Sequence, residues 1–312
     1  MTAPCPLCGR KDGSEVVSTT TFQSIWMDLE RALGEPFPPT LKDPLSPTGS
    51  TSLFSCPDCQ LLFFDPAVAG DQAFYAALAR NPAYYVAIRW EMDQILRRLP
   101  QGSRVLDFGC GSGAFLKLAA ARGATVFGVD LSPSARQELN EAGIPNSATL
   151  DEVTGVPLFD TAVVLQTLEH LSDPLVFKDL VSLVKPGGLI HIAVPNPKRL
   201  EKGTETGLDY PPHHLTRWTP KALESLAGRC NATLIELRYE PLPPRRLVRA
   251  LARRWGRAHS PTSPEELFME APPSWLKFRY WRLATPLIGR RLPAYGHSML
   301  ATFRTPQHAP KS

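Results

Sequence analysis

Val105-Leu106-Asp107-Phe108-Gly109-Cys110-Gly111-Ser112-Gly113-Ala114-Phe115-Leu116 reads as a buried strand, a glycine turn and the opening of a helix. Without Cβ atoms, Gly109, Gly111 and Gly113 can take positive φ and let backbone N–H groups approach a ligand closely, so the turn is of the kind that cradles a nucleotide. About 20 residues on, a second apolar strand, Ala124-Thr125-Val126-Phe127-Gly128-Val129, ends in Asp130, where an acid can bond both hydroxyls of a ribose. A bare glycine pattern is weak evidence. Here the flanking strands and the spacing Gly109-Cys110-Gly111-Ser112-Gly113 carry the reading.

Two further stretches continue the order. Phe159-Asp160-Thr161-Ala162-Val163-Val164-Leu165 is an apolar strand running into Gln166-Thr167-Leu168-Glu169-His170-Leu171-Ser172-Asp173-Pro174. Leu183-Val184-Lys185-Pro186-Gly187-Gly188 is a turn leading into the strand Leu189-Ile190-His191-Ile192-Ala193-Val194-Pro195-Asn196. With the first two, these motifs resemble a class I S-adenosylmethionine-dependent methyltransferase; a NAD-binding Rossmann domain is the alternative that shares the glycines. The resemblance implies S-adenosylmethionine as cofactor, contacted by Asp107, Phe108, Gly109, Cys110, Gly111, Gly113, Asp130, Leu131 and Gln166. It also implies a lid tyrosine from the preceding helical region, Tyr84 or Tyr85 with Tyr85 preferred, and an adenine-side acid, Asp151 or Glu152. Arg89 is a further candidate for the methionine carboxylate.

The pattern predicts strands at 104–108, 124–129, 147–150, 160–165 and 188–194, with helices at 112–122, 133–142 and 173–184 between them. Such alternation implies an α/β fold, a doubly wound Rossmann-like sheet with ligands at the carboxyl ends of its strands. Thr233–Arg238 and Gly296–Phe303 alternate like strands and should close the sheet as a hairpin pair. Asp71 to Leu99 reads as helical with a break at Asn81-Pro82.

Cysteine spacing marks a small module ahead of this core. Cys5-Pro6-Leu7-Cys8 and Cys56-Pro57-Asp58-Cys59 are two C-x2-C knuckles separated by 47 residues, the pattern of a four-cysteine zinc ribbon with structural Zn²⁺. Disulfides or two redox motifs are the alternatives; no export signal and no thioredoxin-like unit accompany them. Residues 35–50, rich in proline and small polar residues, read as a loop, and Leu61–Phe64 as the ribbon's last strand. A ribbon ahead of such a core resembles bacterial small-molecule enzymes, sugar methyltransferases among them. The expected domains are 1–70 for the ribbon with its long inter-knuckle loop, 71–240 plus 293–306 for the core, and 241–292 for an insertion.

Methyl transfer to an alcohol, amine or acidic carbon needs a base. His170, after the strand at 160–165, and His214, in Asp209-Tyr210-Pro211-Pro212-His213-His214, are the expected catalytic groups, since neutral imidazole suits the task near pH 7. The Glu169-His170 loop resembles that of ubiquinone-pathway O-methyltransferases. Those enzymes carry an acid where this chain has Gln166, which argues against Mg²⁺ and weakens a catechol-type reading.

The 312 residues are 43% hydrophobic and carry a net charge of +4. No apolar run approaches the ~20 residues of a membrane span and no secretory signal opens the chain, so a cytoplasmic enzyme is expected. Residues 241–292 hold eleven Lys/Arg against three Glu. Leu247, Val248, Leu251 and Trp255 fall on one helical face there, giving a basic amphipathic stretch suited to a peripheral membrane or a lipid-linked substrate. The expected acceptor is a small molecule: a sugar, nucleotide-sugar, lipid-linked saccharide or secondary metabolite. An rRNA or tRNA methyltransferase is the alternative, disfavoured by the few cations on the ribbon; a non-enzymatic zinc adaptor is a third reading. Oligomeric state is not encoded in any motif.

Overall fold

The computed structural model describes residues 4–81, 84, 89–199, 206–241 and 295–307. In its N-terminal part, β1 (Glu15–Thr21), β2 (Ser50–Ser55) and β3 (Leu62–Asp65) form an antiparallel sheet, with α1 (Phe22–Leu33) and α2 (Pro39–Lys42) between the first two strands. The stretch between the cysteine pairs therefore carries two strands and two helices where the sequence suggests a long loop. Local chemistry explains α1: the Thr21 hydroxyl accepts from Ser24 N, Gly34 ends the helix at φ 76°, and Phe22, Ile25, Trp26 and Leu29 line one buried face. That face packs with Phe37, Leu45, Phe74 and Leu78 into an apolar cluster of its own.

Among the described residues, the region that follows carries two helices, α3 (Gln72–Ala79) and α4 (Trp90–Leu96). The core then runs β4 (Arg104–Phe108), α5 (Ala114–Ala120), β5 (Thr125–Val129), α6 (Pro133–Glu141), β6 (Asn146–Ser147), β7 (Phe159–Leu165), α7 (Phe177–Leu183) and β8 (Val184–Pro195). β9 (Thr216–Arg217), α8 (Pro220–Arg229), β10 (Thr233–Pro241) and β11 (Tyr295–Arg304) complete it. The expected third core strand shrinks to Asn146–Ser147 and gives way to a 3₁₀ turn at Leu150–Glu152. The helix expected from 173 starts as a 3₁₀ turn, Pro174–Val176, capped by Asp173, and becomes α-helical at Phe177.

Seven strands lie in the order β10-β11-β8-β7-β4-β5-β6. β4 pairs in parallel with β5 and β7, β5 with β6, and β7 with β8, while β11 is antiparallel to both β8 and β10. The chain winds outward from β4 in both directions, so the crevice between the carboxyl ends of β4 and β7 is the switch point at which such sheets bind ligands. Buried runs such as Val105-Leu106 and Ala162-Val163-Val164 are those of parallel strands covered on both faces.

The N-terminal sheet draws a strand from much later in the chain. Its fourth strand is β9, paired antiparallel with β3 through Leu62 with Arg217 and Phe63 with Thr216. Cys5, Leu7, Cys56, Cys59 and Leu61 share one apolar cluster with Leu106, Ile190, Trp218, Leu226 and Phe303. Among the described residues, no helix is long and apolar enough to cross a membrane.

His191, buried on β8, has Nδ1 3.0 Å from the Thr302 hydroxyl, and burial, reinforced by the Arg98 charge, lowers its pKa to about 4. Unfolded, it titrates near 6.5. The unfolded chain thus binds the proton first as pH falls, and native stability declines between about pH 6.5 and 4. One such group supplies about 1.4 kcal/mol per pH unit, about 3 kcal/mol across the window. Denaturant titrations at pH 7 and pH 4.5 on wild type and His191→Gln check this: the variant should lose less stability between the two values.

Candidate functional site

The turn after β4 is held open by backbone geometry. Gly109, Gly111 and Gly113 have φ of 74°, 51° and 74°, and Gly109 N and Cys110 N donate to the Val129 carbonyl at 2.8 and 3.2 Å. The loop is thereby tied to the end of β5, where Asp130 accepts from Gly111 N at 2.7 Å and from Ser132 N at 2.8 Å, one bond to each carboxylate oxygen. Arg136 donates to the carbonyls of Asp130 and Leu131, fixing the next turn. Leu131 is 76% exposed, an apolar side chain standing free at the rim.

Beneath the turn, Asp107 is buried and its Oδ1 has no hydrogen-bond partner. Burial, with the Asp130 charge nearby, pushes its pKa well above the usual carboxylate range. Burial likewise raises the Cys110 thiol, which is an inert packing group beside Gly128. Phe108 lines a pocket of about 360 Å³ with Leu171, Asp173 and Leu175.

Gln166 follows β7 with φ 54°, and its backbone N–H bonds the Ala193 carbonyl of β8. Its Nε2 donates to Glu91 Oε1 at 3.1 Å and Ser298 Oγ at 3.2 Å. The amide hydrogens are therefore committed to protein partners, and Oε1 is the side-chain atom left for a ligand. Glu91 and Ser298, both buried, are site residues that sequence reading missed. Asp151 and Glu152 sit exposed in their 3₁₀ turn, and the Glu152 carboxylate accepts from Ala148 N. Tyr85 lies outside the described residues, as does the basic stretch 242–292.

The four N-terminal cysteines converge although their pairs are far apart in sequence. The two knuckles are near copies: Cys5 N bonds Arg10 O and Gly9 N bonds Cys5 O, while Cys56 N bonds Leu61 O and Gln60 N bonds Cys56 O. Gly9 and Gln60 both take positive φ to close their turns. Cys5 Sγ lies 3.6 Å from Cys59 Sγ and Cys8 Sγ 3.5 Å from Cys56 Sγ, with no disulfide formed. A tetrahedron with metal–sulfur bonds of ~2.3 Å has edges of about 3.8 Å, so the sulfur cage has the dimensions of a Zn²⁺ site. The Cys59 thiol bonded to Cys5 lowers the Cys5 pKa to about 5, favouring the thiolate a metal requires. Arg10 spans the knuckles, bonding both Asp58 oxygens at 2.6 and 2.7 Å.

His170 and His214 are brought together, and with them His213. Ring centroids are 4.9 Å apart for His170 and His214, and 4.5 Å for His213 with either. Leu215 N bonds the Glu169 carbonyl at 2.8 Å, which seats the 213–215 segment on the turn after β7. Burial lowers the His170 pKa to about 4 and holds His213 and His214 well below the ordinary value. All three rings are neutral near pH 7, with lone pairs available. Tyr75 and Tyr84 close the cluster, their hydroxyls 3.3 Å from His170 Nδ1 and 2.9 Å from His213 Nε2. Beside it, the Glu169 carboxyl is buried and its pKa rises to about 8 through desolvation.

Residues 83–237 match a methyltransferase domain family. A ubiquinone biosynthesis O-methyltransferase from Xylella fastidiosa is 30% identical over 181 residues, which is 48% of this chain and 70% of that protein. The enzyme of the same name from Paracidovorax citrulli is 39% identical over 108 residues, 31% of this chain and 45% of its own length. A solved S-adenosylmethionine-dependent methyltransferase from Archaeoglobus fulgidus superposes with a TM-score of 0.48 at 20% identity, covering 74% of this chain and 99% of that one.

Proposed function

This chain belongs to the methyltransferase domain family, and on that premise we propose that it moves a methyl group from S-adenosylmethionine to a small-molecule acceptor, releasing S-adenosylhomocysteine. One observation carries the cofactor assignment: the Gly109–Gly113 turn at the switch point, with its Gly111 N–H bonded to Asp130. Both Asp130 oxygens retain lone pairs for ribose hydroxyls after accepting one bond each. Asp107 Oδ1, buried without a partner, supports an acceptor reserved for a ligand, and two acids in a low-dielectric pocket suit a cofactor that carries a sulfonium and an ammonium. Cys5, Cys8, Cys56 and Cys59 hold a structural Zn²⁺; four protein thiolates leave no position for substrate.

The acceptor is assigned to the side of the crevice beyond Gln166, where the histidines stand. The named activity of the curated relatives supports an oxygen acceptor. Within that class a sugar, nucleotide-sugar, lipid-linked saccharide or secondary metabolite fits better than a catechol held on Mg²⁺, because Gln166 is neutral and bound to Glu91. His170 or His214, each a neutral ring with one lone pair, accepts the acceptor's proton as the new bond to the methyl group forms. Alignment of the acceptor with the S–CH₃ bond supplies much of the rate.

Isothermal titration with S-adenosylmethionine and S-adenosylhomocysteine tests the reading: one site per chain with micromolar affinity for both is expected. Asp130→Ala should weaken each by at least about tenfold, a loss of about 1.4 kcal/mol or more. A folded wild-type protein that binds neither ligand would remove the proposal.

A further inference from the structure

Two features of the histidine cluster lie outside cofactor binding and point to a ligand of their own. The first is tautomeric. His170 Nδ1 is 2.6 Å from the His213 carbonyl, and His213 Nδ1 is 2.7 Å from the Leu208 carbonyl. A carbonyl can only accept, so both Nδ1 atoms carry the proton and both Nε2 atoms present a lone pair. An imidazole pinned by one nitrogen to a backbone carbonyl, which fixes its tautomer and leaves the other nitrogen as the acceptor, is how proteins orient histidine for a metal.

The second is Glu169. It is 1% exposed, neither carboxylate oxygen has a hydrogen-bond partner, and Oε1 faces His214 Nε2 at 3.9 Å. A buried carboxyl that makes no hydrogen bond is unfavourable, and the Arg89 charge offsets only part of its desolvation. A cation placed between it and the three rings would engage one of its oxygens together with the ring lone pairs.

We infer that His170, His213, His214 and Glu169 form a second metal site, separate from the four cysteines, for a divalent ion of the zinc class. One ligand atom from each ring lies within 4.8 Å of the others. With metal–nitrogen bonds of ~2.1 Å the tetrahedral edge is about 3.4 Å, so side-chain rotations that move these atoms by about an ångström complete the site. The Tyr84 hydroxyl, now 2.9 Å from His213 Nε2, yields that lone pair to the ion. Three imidazoles and one carboxylate select zinc-like ions over Mg²⁺ or Ca²⁺, which take oxygen ligands. Occupied, the site would join the turn after β7 to the segment before β9, and rings that hold the ion would no longer act as bases. Metal binding is measured here without turnover, so its failure and that of the methyl-transfer reading are separate results.

The test uses untagged full-length protein prepared with zinc, with metal per chain counted by plasma mass spectrometry before and after an organomercurial that attacks thiolates. Two equivalents are expected: one released by the mercurial, the other only by chelator or acid. Cobalt loading should add weak visible bands beyond the intense near-ultraviolet thiolate absorption of the four-cysteine site. A folded His213→Ala/His214→Ala variant should hold one equivalent, all of it mercurial-labile. If that variant does not fold, the wild-type division into two pools decides alone. A single mercurial-labile equivalent in wild type, with no second uptake on titration with Zn²⁺, would overturn the inference, as would a second equivalent persisting in the folded variant.

Discussion

Gly109→Val should leave a chain that shows no heat of binding with S-adenosylmethionine at concentrations that saturate wild type, and that is less stable by about 2–5 kcal/mol. Two physical effects add. Gly109 has φ 74°, a left-handed conformation that is unfavourable by about 1–2 kcal/mol for an L residue and worse for a β-branched one. A Cβ there would also stand 2.3 Å from Thr167 Cγ2 and 2.4 Å from its hydroxyl, and overpacking of this kind is unfavourable by a further ~1–3 kcal/mol. Relief requires the β4 turn to move away from the turn after β7, which opens the crevice proposed to hold the cofactor. Gly102 is the control: its φ is 76°, yet a Cβ there meets nothing within 4 Å. Gly102→Ala should lose about 1 kcal/mol and keep its affinity. Retained binding in folded Gly109→Val would show that the turn is not the cradle.

The same two glycines show where sequence reading stops. The pattern around residue 109 identifies the turn because strand, glycines and helix are local signals. Thr167, the reason for glycine there, is 58 residues away and only the sheet order brings it near. The histidine cluster divides in the same way: His213 and His214 are adjacent in sequence, but His170 reaches them because Leu215 N bonds the Glu169 carbonyl. Glu91 and Ser298 were illegible because their partner, Gln166, lies 75 and 132 residues from them. β1 escaped for a different reason. Nearly all its residues are exposed, Val16 and Val17 among them, so it shows no alternation of apolar and polar positions. In contrast α1 carried every sign a helix can give, with Thr21 as cap, Phe22, Ile25, Trp26 and Leu29 at helical spacing, and Gly34 as stop. The two-residue β9 is too short for any period, although it is the strand that joins the N-terminal sheet to the segment carrying His213 and His214.

That junction determines what losing the zinc proposed at the cysteines would do. A free-standing ribbon would melt by itself when Cys56 becomes Ser, leaving the larger sheet intact. Here Cys56 and Leu61 are fully buried and share a cluster with Trp218 and Leu226, and the Thr219 hydroxyl bonds the Gln60 carbonyl of the second knuckle at 3.0 Å. Structural zinc contributes free energy directly to folding, ~10 kcal/mol or more in isolated fingers and less where a core supports the site. Taking about 4 kcal/mol for Cys56→Ser, and roughly 2–4 °C per kcal/mol for a large domain, Tm should fall by about 10 °C. Calorimetry should show one transition rather than two, because β3 and β9 cannot separate without exposing Trp218. The damage should also reach the histidines, since Phe64 N bonds the Leu215 carbonyl and Leu215 N holds the turn that carries Glu169 and His170. Chelation at neutral pH should reproduce the shift in wild type. Two resolved transitions, with cofactor affinity unchanged after the first, would instead make the ribbon an independent unit and confine its metal to local stability.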